Sequence, residues 1–259
     1  MNKSDIKNIK LFVLDMDGTI YLGENILPGA IEFVKTARES GRKVVFFTNN
    51  ASKNPNNYVD KLNRMGFGAI REDVITAGDV TIEYLKRHRL GESVYLVGTP
   101  ALEQSFKDAG IMLSEEAKIV VSSFDTTLTY EKLVTACDLI RNGAEFFCTH
   151  PDFNCPTETG FIPDSGAIAA LITASTNVKP KYFGKPHKET ADMISELFNI
   201  PFSETAIVGD RLYTDIALGK NNGLMSILVL SGETNINDVN EDNAPDVIFD
   251  GIGDILKHF

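Results

Sequence analysis

Short apolar runs that stop at polar residues, each followed by apolar positions at helical spacing, recur along the 259 residues of this chain. Residues 9–14 (Ile-Lys-Leu-Phe-Val-Leu) suit a strand buried on both faces and end at Asp15. Residues 43–47 (Lys-Val-Val-Phe-Phe) suit a second, ending at Thr48-Asn49-Asn50. Between them a helix is predicted after Pro28, with Ile31, Val34 and Ala37 on its apolar face and Gly41 placed for a left-handed turn. Near the other end come a helix after Pro186, a strand over 205–208, a helix over 215–221 and a strand over 226–230. Such alternation, without the period-2 pattern of a half-exposed strand, predicts an α/β fold: a doubly wound parallel sheet with helices on both faces.

The middle of the chain repeats the pattern, with strands predicted over 93–97, 119–122 and 145–148 and helices between them. One sheet would then hold about nine strands, a large number for a single layer. A second domain is the simpler prediction: a core of residues 1–79 and 182–259, interrupted by an inserted α/β domain over 80–181. Gly78 and Pro180 are the candidate hinge residues, and the polar stretch 231–243 reads as a surface loop.

With 43% apolar and 24% charged residues the chain can bury a substantial core, which argues against disorder. Its formal charge of -11, with no run of Lys and Arg, argues against nucleic acid or anionic membrane as a partner. No segment has the apolar length of a membrane span, and residues 1–10 lack a signal-peptide core, so a cytoplasmic location is expected. Cys137, Cys148 and Cys155 are too few and too irregularly spaced for a disulfide framework or a zinc site, and are expected to be free thiols.

In an open parallel sheet the loops at the carboxyl ends of the strands converge on one crevice. Four such loops carry Asp15-Met16-Asp17-Gly18-Thr19, Thr48-Asn49-Asn50, Gly184-Lys185-Pro186 and Gly209-Asp210. Singly, each has a plain structural explanation as turn, cap or surface residue. Together they offer carboxylates, a hydroxyl with backbone amides, and a lysine, which suits a divalent cation and a phosphate side by side. A phosphate dianion needs the cation, since two like charges about 4 Å apart repel by about 4 kcal/mol at an effective dielectric of about 20. The hard oxygens of Asp15, Asp17 and Asp210 favour Mg²⁺ over zinc.

These four segments, continued as Gly209-Asp210-Arg211-Leu212-Tyr213-Thr214-Asp215, resemble in order the four motifs of the haloacid dehalogenase (HAD) superfamily. The long insertion resembles that of class IIA, which includes NagD-like and 4-nitrophenyl phosphatases. Pro28-Gly29, Gly98-Thr99, Thr127-Leu128-Thr129-Tyr130, His150-Pro151-Asp152 and Leu228-Val229-Leu230-Ser231-Gly232 extend the likeness over nearly the whole chain. The resemblance implies a Mg²⁺-dependent phosphatase acting on a small phosphorylated metabolite through an aspartyl-phosphate. It implies Asp15 as nucleophile and metal ligand, Asp17 as general acid and base that also ligates through its carbonyl, and Asp210 as the remaining metal ligand. Thr48 and the amide of Asn49 would hold the phosphoryl oxygens, Lys185 would neutralise nucleophile and phosphate, and Asp215 would steady the metal shell or Lys185.

The insertion would be a cap, with His150, Asp152, Asp164 and Ser165 as candidates for contacting the leaving group. For His150 the plainer alternative is satisfying a local carbonyl, and for Asp164 or Ser165 capping the helix that begins near Gly166. One departure is Arg211, where relatives often carry Asn. A mutase or other phosphotransferase of the same superfamily is the nearest alternative, and a phospho-acceptor switch is a further one that Asp17 disfavours. Oligomeric state, a homodimer included, is left open by the sequence.

Overall fold

The structure is a computed structural model describing residues 1–157 and 159–259. The chain runs through β1 (Leu11–Leu14), β2 (Tyr21–Leu22), β3 (Asn25–Ile26), α1 (Ala30–Glu39), β4 (Lys43–Thr48), α2 (Pro55–Arg64) and β5 (Val74–Thr76). Next come α3 (Ala77–His88), β6 (Val94–Val97), α4 (Pro100–Asp108), β7 (Ile119–Ser122), α5 (Tyr130–Arg141) and β8 (Glu145–Cys148). These are followed by a hairpin of β9 (Asn154–Thr157) and β10 (Gly160–Pro163), then α6 (Ser165–Thr176) and β11 (Lys181–Tyr182). The last part holds α7 (Lys188–Phe198), β12 (Thr205–Gly209), a π-helical turn (Leu212–Ile216), α8 (Ala217–Asn222), β13 (Met225–Val229) and β14 (Val247–Phe249).

Two compact units result: Met1–Thr48, Asn56–Ile75 and Lys185–Phe259 form one, Asn49–Pro55 and Thr76–Gly184 the other. The first is built on a six-stranded sheet of order β14-β13-β12-β1-β4-β5. β1 lies between β4 and β12, parallel to both, with Leu11 opposite Lys43 on one side and Thr205 on the other. Every residue of β1, β12 and β13 is buried, which is why these strands read as unbroken apolar runs. The chain builds the sheet outward from β1 on one side and then returns to add β12 on the other. The direction of winding therefore reverses between β1 and β12, where the loops diverge and leave a crevice.

Helix α1 packs Ala30, Phe33, Val34 and Ala37 inward, while Ile31, predicted on that face, is partly exposed. Phe12 of β1 meets Phe33 edge-on at 5.1 Å between ring centroids, and Phe259 stacks on Phe12 at 5.5 Å. Gly29 precedes α1 at φ +77, and a Cβ there would lie 2.6 Å from Gly253 Cα, so two backbones touch where α1 begins.

The second unit has a parallel sheet of order β11-β8-β7-β6 and a separate β9–β10 hairpin. Val97, Val120, Ala136, Ile140, Phe146, Cys148, Ile168 and Ile172 form its core between the sheet and helices α5 and α6. Gly78, a predicted hinge residue, instead sits in the first turn of α3, where a Cβ would approach Leu102 Cδ1 to 2.8 Å; helix packing explains it. Among the described residues no disulfide forms; Cys137 and Cys148 are buried and Cys155 is half-buried. Among the described residues no helix is long and apolar enough to cross a membrane.

Candidate active site

Asp15 follows the last residue of β1, and its backbone N–H donates to Val208 O of β12 at 2.9 Å, so it opens the crevice where the winding reverses. Asp210 follows β12 directly, and Asp215 lies in the π-helical turn beyond it. Carboxylate oxygens of Asp15, Asp210 and Asp215 all lie within 4.8 Å of one another. Lys185 Nζ reaches into this group, 2.5 Å from Asp15 Oδ1 and 2.7 Å from Asp215 Oδ1, while its side chain is 2% exposed. Residues from three distant parts of the chain thus meet in one group.

Glycines make room for the carboxylates. A Cβ at Gly18 (φ +87) would fall 2.4 Å from Asp210 Oδ2, and one at Gly232 would fall 2.0 Å from the same oxygen. The loop after β13 closes over this point: Glu233 N–H donates to Asp210 Oδ2 at 2.7 Å, and Ser231 Oγ donates to Gly18 O at 2.8 Å. The surface-loop prediction for 231–243 is therefore corrected at its start, which contacts the site. Arg211, the departure from the usual pattern, holds its Nε 3.0 Å from Glu233 Oε2, and its backbone N–H donates to Asp215 Oδ2 at 3.2 Å.

Burial pushes the carboxyl of Asp15 up to about 8, opposed by Lys185 and reinforced by Asp215 and Asp210. Burial and Asp215 raise Asp210 to about 6, against the N–H of Glu233. Burial alone would lower the Lys185 ammonium, but Asp15 and Asp215 more than offset it and hold the charge in place. Asp17 reaches solvent, yet the atoms packed around it still raise its carboxyl, with Lys61 and the N–H of Gly23 pulling the other way. Its carboxylate is not part of the Asp15–Asp210–Asp215 group.

Asp210 Oδ1 is buried and has no hydrogen-bond partner among the described residues. An orphaned carboxylate oxygen beside two further carboxylates fits a hard divalent cation, which satisfies such oxygens and lets the acids ionise together.

Thr48 ends β4, and Asn49 begins the second unit. The four remaining candidates turn inward within the second unit: His150 and Ser165 are fully buried, Asp164 and Asp152 nearly so. His150 Nε2 lies 2.8 Å from Asp164 Oδ1, which also accepts from Ser165 N–H at 2.6 Å as the cap of α6. Burial alone would lower His150, but the hydrogen bond and charge of Asp164 raise it overall. Asp152 Oδ2 accepts from Asn49 Nδ2 at 3.1 Å. The helix cap weighed for Asp164 is present, whereas the ring of His150 meets the Asp164 carboxylate and the Thr149 hydroxyl rather than the local carbonyl weighed for it.

Residues 12–112 match a family model described as haloacid dehalogenase-like hydrolase, and residues 182–255 one described as HAD-hydrolase-like. The acid sugar phosphatase of Staphylococcus aureus (strain MRSA252) is 36% identical over 242 residues, 93% of each chain. The crystal structure of 4-nitrophenylphosphatase from Thermotoga maritima superimposes with a TM-score of 0.94 at 46% identity, covering 98% of both chains. NagD from E. coli K-12 does so with a TM-score of 0.89 at 29% identity, over 95% of this chain and 97% of its own.

Proposed function

Because this chain belongs to the haloacid dehalogenase-like hydrolases, in the class of NagD and the 4-nitrophenyl phosphatases, we propose that it hydrolyses phosphate monoesters of small metabolites with Mg²⁺ and an Asp15 nucleophile. The observation that carries this reading is the buried meeting of Asp15, Asp210 and Asp215 around Lys185 Nζ. A cation held by Asp15, Asp210 and the backbone carbonyl of Asp17 would supply the charge that lets a phosphate dianion approach three acids.

Asp15 Oδ attacks phosphorus, the bond from phosphorus to the ester oxygen breaks, and an aspartyl-phosphate forms. The protonated carboxyl of Asp17 delivers its proton to the departing alkoxide. Ionised, the same carboxylate then takes a proton from the water that attacks phosphorus, releasing phosphate and restoring Asp15. Lys185 opposes the rise that burial imposes on the Asp15 carboxyl, so that with a cation bound the nucleophile can ionise, and with Thr48 and the Asn49 amide it holds the phosphoryl oxygens. Little intrinsic nucleophilicity is needed, because phosphoryl transfer depends mainly on positioning and fixed charge.

The second unit serves as a cap that restricts what approaches the phosphoryl group. The named activity of the Staphylococcus relative puts sugar phosphates first among candidate substrates. A cytoplasmic setting suits three cysteines that form no disulfide among the described residues. Release of 4-nitrophenol from 4-nitrophenyl phosphate tests the proposal: activity should need Mg²⁺, vanish with EDTA, and fall by about three orders of magnitude or more in Asp15→Asn. Full activity after exhaustive chelation, or near wild-type kcat in Asp15→Asn, would refute it.

A further inference from the structure

We infer that Asp152 is a positioning residue: through the side chain of Asn49 it fixes the phosphate-binding turn at Thr48-Asn49, an inference that rests on the phosphatase reading of that turn. Asn49 and Asp152 are 103 positions apart, both buried, and joined by Asn49 Nδ2 donating to Asp152 Oδ2 at 3.1 Å. The other end of the carboxamide is also confined. A Cβ at Gly184 (φ +68) would lie 2.7 Å from Asn49 Oδ1 and 3.0 Å from both His150 Cβ and Thr149 O. One side chain is therefore held between Asp152 and Gly184. Its own backbone follows Thr48, and Gly184 precedes Lys185, so it links the neighbours of two residues that would grip the phosphoryl group.

The acceptor is itself rigid. Asp152 O accepts from Gly166 N–H at 2.8 Å in the first turn of α6, and a Cβ at Gly166 would come within 2.2 Å of Pro151 O. His150, two positions earlier, is tied to Asp164, the cap of the same helix. Asp152 Oδ1 is buried with no hydrogen-bond partner among the described residues. Burying such an oxygen opposes folding, so the residue requires an explanation beyond packing. Holding a backbone amide in the direction needed before substrate arrives is such an explanation, since a donor aligned in advance needs no reorganisation on binding.

The test uses the full chain with Mg²⁺, 4-nitrophenyl phosphate as substrate and inorganic phosphate as inhibitor. Asp152→Ala should raise KM and the phosphate Ki about tenfold with kcat changed less than about threefold, as expected for a lost charge-assisted hydrogen bond acting on binding. Asn49→Ala should do the same, and the double variant should be no worse than either single, because both cut one linkage. Asp152→Asn keeps an acceptor oxygen and nearly the same volume, so it should stay within about threefold of wild type and guards against misfolding of the Ala variant. Additive losses in the double variant, Asp152→Asn as impaired as Asp152→Ala, or a lowered Tm with unchanged KM and Ki would overturn the inference. An inactive wild type whose calorimetric phosphate affinity still drops with Asp152→Ala would support the clamp and refute hydrolysis. An active wild type indifferent to Asp152→Ala would do the reverse.

Discussion

Asp15 and Asp210 hold their protons in the metal-free fold to about 8 and about 6, whereas an unfolded aspartate releases its proton near 3.8. Across that window the folded chain binds more protons than the unfolded one, so stability falls as pH rises from about 4 to about 8. His150, also raised, acts in the same sense: its contribution is present below 6.5 and lost above its folded value. Metal-free protein should therefore melt lower at about pH 8 than at about pH 5, by about 5 °C or more. Mg²⁺ should raise Tm more at the higher pH, where it meets ionised carboxylates and no proton competes. Scanning calorimetry at both pH values, with and without Mg²⁺, checks this. A metal-free Tm that climbs with pH would show that the acids are ionised without help.

Helix α1 begins where Gly29 meets the backbone of Gly253, a contact that leaves no space for a side chain. Gly29→Ala should destabilise the chain by about 2–4 kcal/mol, from the left-handed conformation and the displaced backbone together. Urea unfolding measures it, and a loss under about 0.5 kcal/mol would mean that the two segments part easily. Legibility in the sequence follows from how each element is buried. β1 and β12 are enclosed on both faces, so their apolar runs and polar ends were plain, and with them Asp15 and Asp210. Helix α2 buries Tyr58 and Leu62 among polar residues, and β5 has three residues; neither pattern stands out from a loop. Glu233 meets Asp210 through its backbone N–H, and a backbone donor leaves no mark in residue type. For His150 and Asp164 the residue types suggested chemistry, and only the fold revealed a pair enclosed beside a helix cap.

The chain leaves its first unit after Thr48, rejoins it for Asn56–Ile75 and returns for good at Lys185. β1 pairs with β12, and the flanking Lys10 and Glu204, joined at 2.9 Å, are 194 positions apart. During synthesis at about 5–20 residues per second, β1 would wait about 10–40 s for that neighbour. Every residue of the second unit is made before then. A chain ending at Phe198 should accordingly keep Thr76–Gly184 resistant to protease while Met1–Thr48 is cut, and equal protection of both stretches would disprove that order. The sheet that carries Asp15 is thus completed last, and a nascent chain spends those seconds with one edge of β1 unpaired and open to a neighbouring chain on the same message.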